Sequence, residues 1–343
     1  MTTAAATDNR LRAYAQFVVA VIYFFIAEAL AHYGAQGMVG AAWFPLVDQA
    51  LLVLLLLLGY ATMGFWFNRQ SYPAREQGWP FRNGWPREAG IGLAIGWAVA
   101  VLCVLPMALD GGIAMSFSTG LSAWRWLVLD AAFFALMAMA EEIAFRGYAF
   151  QRFVVAVGPM GATLGFAAYY AIVQSFLPNS GRASFFVALA LGVVLSTAYL
   201  RTRALWLSWG LNFGWKASRG LIFGLAVTGL NDHSPVVQGN PMGPFWVTGG
   251  GFGLDGTWIA FVVLLAALPL VFRVTRELDF RYNAPEIVPA GIPVDLDAAA
   301  RAQHQAAMGP APESTPELVQ IAPVNSPAEP AVQGQAEEIS HNP

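Results

Sequence analysis

The sequence is poor in charged residues and in metal-binding side chains. Asp, Glu, Lys and Arg make up 11% of its 343 residues, whereas soluble globular domains contain about 25%. Cys103 is the single cysteine, which excludes a disulfide bond within the chain and a cluster of thiolate metal ligands. The histidines are His32, His233, His304 and His341. The net charge of −3 gives no indication of a nucleic-acid partner.

Apolar residues are abundant instead. They make up 57% of the chain, and the mean hydropathy is +0.53. Because about 20 apolar helical residues cross the hydrocarbon core of a bilayer, the pattern predicts an all-α, polytopic membrane helix bundle in contact with lipid. Eight spans are expected, near residues 12–33, 46–67, 89–109, 124–143, 161–177, 183–200, 204–226 and 255–274.

The arginines predict the orientation of these spans. When the loops are assigned alternately to the two sides, only Arg125 and Arg182 fall on one side, and the other arginines of the loops and span ends fall on the opposite side. Positively charged residues accumulate in cytoplasmic loops, so both termini are predicted to be cytoplasmic in a multi-pass protein of the inner (plasma) membrane.

Composition also predicts three regions. Residues 1–88 would hold two helices and a cytoplasmic loop, and residues 89–278 would form a membrane core. Residues 279–343 are rich in Pro, Ala, Glu and Gln, with almost no aromatic residues. Such a segment buries too little apolar area to fold, so we predict a disordered cytoplasmic tail.

A group of ionisable residues lies inside the predicted spans. Glu142 and Arg146 are four residues apart on one helix face and can pair, whereas Glu141 points about 100° away around the helix. Asn212 and Lys216, the only lysine, share a face of span seven. An unpaired charge near the centre of a span costs about 3 kcal/mol. The two glutamates, Arg146 and Lys216 should therefore meet as a neutral cluster.

Two further charges are expected to balance each other. Asp130 in span four and Arg219 in span seven both lie toward the external side of the predicted membrane. Gln174 in span five is an uncharged polar residue within an apolar segment.

The run Glu141-Glu142-Ile143-Ala144-Phe145-Arg146 resembles the EExxxR motif of the CPBP family, which contains CAAX-processing and bacteriocin-processing intramembrane proteins. The resemblance extends over roughly residues 90–275. It implies a metalloendopeptidase in which Glu141 is the general base, supported by Glu142 and Arg146, and in which zinc is bound if the site is active.

Two other family motifs are altered in this chain. FxxxH falls on residues 170–174, with Gln174 in place of histidine, and HxxxN falls on residues 212–216, with Asn212 and Lys216 at its polar positions. A zinc site requires imidazole, thiolate or carboxylate ligands, and no histidine lies in spans four to seven. We therefore predict no bound metal or other cofactor, and an ion pair between Glu141 and Lys216 in its place.

Three interpretations follow. The missing histidines favour a catalytically silent relative that acts as a membrane scaffold, chaperone or immunity-type protein, with a peptide or a membrane protein as a possible partner. Alternatively, an active peptidase could use Glu141 to activate water, with Gln174 and Asn212 polarising the scissile carbonyl. The third interpretation belongs to another functional class: a small membrane transporter or a scaffold that uses the charged cluster.

Overall fold

A computed structural model of the chain describes residues 3–230, 236–278 and His304. Most of these residues are helical, and those up to residue 278 belong to one compact unit. The predicted tail, residues 279–343, lies outside the described residues apart from His304, which is exposed. The main helices are α1 (Thr3–Met38), α2 (Phe44–Asn68), α3 (Pro73–Glu76), α4 (Trp85–Leu109), α5 (Leu121–Arg146), α6 (Tyr148–Val157), α7 (Pro159–Ser175), α8 (Arg182–Thr202), α9 (Trp206–Ala217), α10 (Phe245–Thr248) and α11 (Trp258–Val274).

Each of the eight predicted spans overlaps with one helix. In chain order these helices are α1, α2, α4, α5, α7, α8, α9 and α11. Four helical segments are long and apolar enough to cross a membrane by length and composition, namely Asn9–Met38, Phe44–Asn68, Trp85–Leu109 and Arg182–Thr202. The chain is therefore a helical membrane protein with several spans. The number eight and the cytoplasmic placement of both termini stay predictions.

The prediction of an all-α fold missed a small sheet. Strands β1 (Ile113–Phe117) and β2 (Val237–Pro241) pair antiparallel, with Ile113 opposite Pro241 and Phe117 opposite Val237. These strands are more than a hundred residues apart in sequence, each has only five residues, and β2 contains Gly239 and Pro241, which are uncommon in strands. Their pairing therefore left no local signal. Between this sheet and the glycine-rich loop around residues 248–253 lies a groove of about 630 Å³.

Two helical features also differ from the prediction. Residues 148–157 form the short helix α6, which the list of spans did not include. The span predicted at 204–226 contains α9, which continues as a π-helical turn, Ser218–Ile222, and the residues after it are not helical. Gly224 follows this turn with φ of +60°, a backbone conformation that favours glycine.

Glycines allow α4 and α9 to pack with their backbones in close proximity. A Cβ atom on Gly96 of α4 would lie 2.2 Å from the backbone oxygen of Leu211, and one on Gly210 of α9 would lie 2.1 Å from that of Ala89. Gly92 and Gly214 make equivalent approaches. Each helix thus carries two glycines four residues apart, the spacing that lets membrane helices approach closely. This contact fixes the position of α9, on which the candidate site depends.

The glycine contact predicts that Gly96→Ala lowers the free energy of unfolding in detergent. The added methyl group cannot fit beside the α9 backbone, and overpacking of this kind costs about 1–3 kcal/mol. Gly90→Ala is the matched control, because a Cβ there meets nothing within 4 Å. Thermal unfolding of the two variants should separate them; equal stability would contradict the close contact.

Candidate functional site

Three helices bring the predicted site residues together. α5 carries Glu141, Glu142 and Arg146 in its last turns, α9 carries Asn212 and Lys216, and α7 carries Gln174 near its end. The indole nitrogen of Trp209 donates to the carbonyl of Ala135 at 3.0 Å, which holds α9 against α5. The packing of α9 against α5 therefore positions the polar side chains of these two helices.

Glu141 contacts both polar residues of α9. Lys216 Nζ lies 3.1 Å from one carboxylate oxygen of Glu141, and Asn212 Nδ2 donates to the other oxygen at 2.9 Å. Lys216 is 1% exposed and Glu141 15% exposed. The ion pair predicted between these two residues is thus present, and both carboxylate oxygens of Glu141 are engaged by neighbouring side chains.

Glu142 forms the second half of the cluster. It pairs with Arg146 one helical turn away, with Arg146 Nη1 3.3 Å from Glu142 Oε1. Asn212 Nδ2 also lies 3.1 Å from Glu142 Oε1, so this amide links the two carboxylates. Arg146 donates in addition to the backbone carbonyl of Gly192 on α8 at 3.3 Å. Two acidic and two basic side chains therefore lie together without net charge, and all of them except the half-buried Glu141 are fully buried.

A second ion pair lies beyond Lys216 along the same helix. Arg219 on the π-helical turn pairs with Asp255, and the indole nitrogen of Trp215 donates to Asp255 at 3.1 Å. The guanidinium of Arg219 stacks over the Trp215 ring, 4.1 Å from its centroid. Both charged side chains are buried.

The prediction that Arg219 and Asp130 neutralise each other's charge was wrong. Asp130 is half-buried on the wall of another cavity, beside Trp126 and Phe133. The partner of Arg219 comes instead from a buried 3₁₀ turn, Leu254–Gly256, at the end of the glycine-rich loop. Asp255, which folds back from this loop into the helix bundle, was not among the predicted site residues.

Gln174 lies in a small cavity between the two ion pairs. The walls of this cavity include Gln174, Ser184, Lys216, Arg219 and Asp255. Gln174 is 7% exposed, and its Oε1 atom has no hydrogen-bond partner among the described residues. The cavity has a volume of about 10 Å³, enough for about one water molecule.

These residues do not fit a zinc site. The positions where the family motifs place histidines hold Gln174 and Asn212, and amides are poor zinc ligands. Lys216 Nζ is 3.1 Å from Glu141, so a divalent cation at this carboxylate would meet a buried ammonium group. In the part of the chain that the structure describes, no group of three or more His, Cys, Asp or Glu side chains is arranged to hold a metal ion.

A comparison with protein families supports the motif-based resemblance. Residues 122–218 match the family of type II CAAX prenyl endopeptidase Rce1-like proteins. The chain is similar to this family over that segment, which is less than a third of its length. The suspected membership in the CPBP family is thereby confirmed over this segment. No curated protein and no solved structure matches the chain.

The Rce1-like segment is shorter than the resemblance predicted. It begins in α5 and ends at Ser218, so it includes the Glu141–Lys216 pair and Gln174. It excludes Arg219 and Asp255, although these residues line the same cavity as Lys216. The second ion pair therefore lies outside the matched segment.

The second ion pair predicts that Asp255→Asn destabilises the protein by about 3–5 kcal/mol, because it leaves the buried Arg219 charge unpaired. Asparagine retains an oxygen that can accept from Trp215, so the loss of charge is the main change. Asp110→Asn alters an exposed aspartate and serves as the control. Unfolding measurements in detergent should show a large loss for Asp255→Asn alone. Equal stability of both variants would argue against the pair.

Proposed function

We propose that this protein is a catalytically silent CPBP-family protein of the inner (plasma) membrane, in which an ion pair replaces the metal site. The observation that supports this proposal is the contact of Lys216 with Glu141, the residue that the family motif aligns with the general base. A general base must accept a proton from water in the active site. Here Lys216 and Asn212 engage both carboxylate oxygens.

The alternative, an active endopeptidase of CAAX-type or membrane peptides, agrees less well with the geometry. Asn212 would have to polarise a scissile carbonyl, but its amide nitrogen is directed at the two glutamates. The cavity beside Gln174 has a volume of about 10 Å³, which is too small for a peptide bond in the present arrangement. Peptide cleavage would require the helices or the glycine-rich loop to move apart.

A transporter is the alternative from another class. Such a protein uses intramembrane charges as a pathway for ions or protons. In this protein the charges neutralise one another in three pairs, namely Glu141 with Lys216, Glu142 with Arg146, and Asp255 with Arg219. This arrangement favours a structural role for the charges over transport.

A silent relative would act by binding a peptide or a membrane protein. The groove between the two-stranded sheet and the glycine-rich loop has the size and the chemistry for such a role. Its walls include Ser116, Gln238, Asn240 and the backbone of several glycines. Exposed backbone donors and acceptors beside a strand suit an extended peptide, so we assign partner binding to this groove.

The proposal predicts well below one zinc ion per chain in protein purified in mild detergent without a histidine tag. A triple variant, Gln174→His/Asn212→His/Lys216→Asn, restores the ligand types of the family motifs and should bind zinc. Metal content can be measured by mass spectrometry of the purified protein.

The matched control is Lys216→Asn alone, which removes the ammonium group but adds no imidazole ligand and should therefore not bind zinc. Near-stoichiometric zinc in the unaltered protein, reduced by Glu141→Gln alone, would contradict the proposal and favour the peptidase. Cleavage of a membrane peptide by the unaltered protein would contradict it as well.

A further inference from the structure

A polar cavity unrelated to the candidate site lies where α1, α2 and α6 meet. It has a volume of about 490 Å³. Its walls come from the first turns of α1, the last turn of α2 and the middle of α6, and they consist of Asn9, Arg12, Ala13, Gln16, Trp66, Phe67, Asn68, Arg69 and Arg152. Three of these side chains are guanidinium groups, and none is acidic.

The cavity wall is held in place by a hydrogen-bond network. Tyr148 donates to Asn68 Oδ1 at 2.7 Å, and Asn68 donates to Gln16 at 3.3 Å. Arg12 donates to the backbone carbonyl of Phe67 at 2.8 Å, and Arg152 stacks over the Tyr148 ring at 5.6 Å. Residues from α1, α2 and α6 therefore form one connected structure around the cavity.

The arginines of this cavity retain unused hydrogen-bonding capacity. Arg152 Nε is buried without a hydrogen-bond partner among the described residues. Among the residues whose side chains the structure describes, which do not include residues 3–8, Arg12, Arg69 and Arg152 form no ion pair. Glu76 acts electrostatically on Arg152 but does not line the cavity. Arginine guanidinium groups match phosphate oxygens in geometry and charge, so this wall is suited to a phosphate group.

The location of the cavity indicates the source of that phosphate. The candidate span Asn9–Met38 begins at this cavity and the candidate span Phe44–Asn68 ends there. Trp66 on its wall is 73% exposed and Phe65 beside it 57% exposed, as expected of aromatic residues at a membrane interface. A phosphate at this depth lies at the level of lipid headgroups.

We propose that this arginine cavity binds a phosphate group, and that the headgroup of an anionic phospholipid supplies it. Arg12, Arg69 and Arg152 would contact the phosphate oxygens. The exposed aromatic residues beside the cavity would contact the acyl chains. The site is separate from the Glu141–Lys216 pair and does not depend on whether the protein cleaves peptides.

The test uses the full-length protein in neutral detergent, with thermal unfolding followed as three additives are titrated: phosphatidylglycerol, phosphatidylcholine and inorganic phosphate. The test variant is Arg12→Gln/Arg69→Gln, since both arginines are exposed and their loss leaves the buried core intact. The control is Arg75→Gln/Arg87→Gln, which removes two exposed arginines that do not line the cavity.

Phosphatidylglycerol should raise the melting temperature of the unaltered protein and of the control, whereas phosphatidylcholine should not. The test variant should need about thirty-fold more lipid for half of the shift, given about 1 kcal/mol per basic residue near anionic lipid. A shift with inorganic phosphate that the test variant also loses would assign the site to a soluble phosphate compound. No shift with either phosphate source, or one equal in test and control variants, would overturn the proposal.

Discussion

Pairing of opposite charges inside an apolar helix bundle is the constraint on which the core of this protein depends. Glu141, Glu142, Arg146 and Lys216 would each be costly alone in the membrane. They are buried together because their charges sum to zero and because Asn212 links the two carboxylates. A metal ion would upset this balance, since Lys216 already supplies the positive charge beside Glu141.

Backbone packing makes this charge pairing possible. α9 is short, and its position is set by the glycine contact with α4 and by the hydrogen bond from Trp209 to α5. The π-helical turn that follows α9 places Arg219 next to Asp255. Lys216 and Arg219 consequently meet their acidic partners on either side of the cavity lined by Gln174. Two ion pairs thus connect α5, α9 and the glycine-rich loop.

Much of this arrangement could be predicted from the sequence because its signals are local. Apolar runs identified the helices, and the spacing of Glu142 and Arg146 predicted their pairing. The cost of an unpaired intramembrane charge predicted that Lys216 would meet Glu141. Contacts between distant segments could not be predicted in this way. The pairing of β1 with β2 and that of Arg219 with Asp255 depend on the path of a loop, which no periodicity encodes.

The relation between the site and the family also follows from these contacts. The match over residues 122–218 covers the parts of α5, α7 and α9 that carry the polar site residues. Lys216 occupies a polar position of one of the altered motifs and pairs with Glu141. The account therefore depends on whether Lys216 stabilises the fold through Glu141.

A double-mutant cycle in detergent measures this interaction most directly, using Glu141→Gln, Lys216→Met and the double variant. The account predicts that each single variant is destabilised and that the double variant is more stable than the sum of the two losses, with a coupling of about 1–3 kcal/mol. Lys216→Met combined with Glu88→Gln, whose partner is Arg82, should show additive losses. Additive losses for Glu141 and Lys216 would contradict the account.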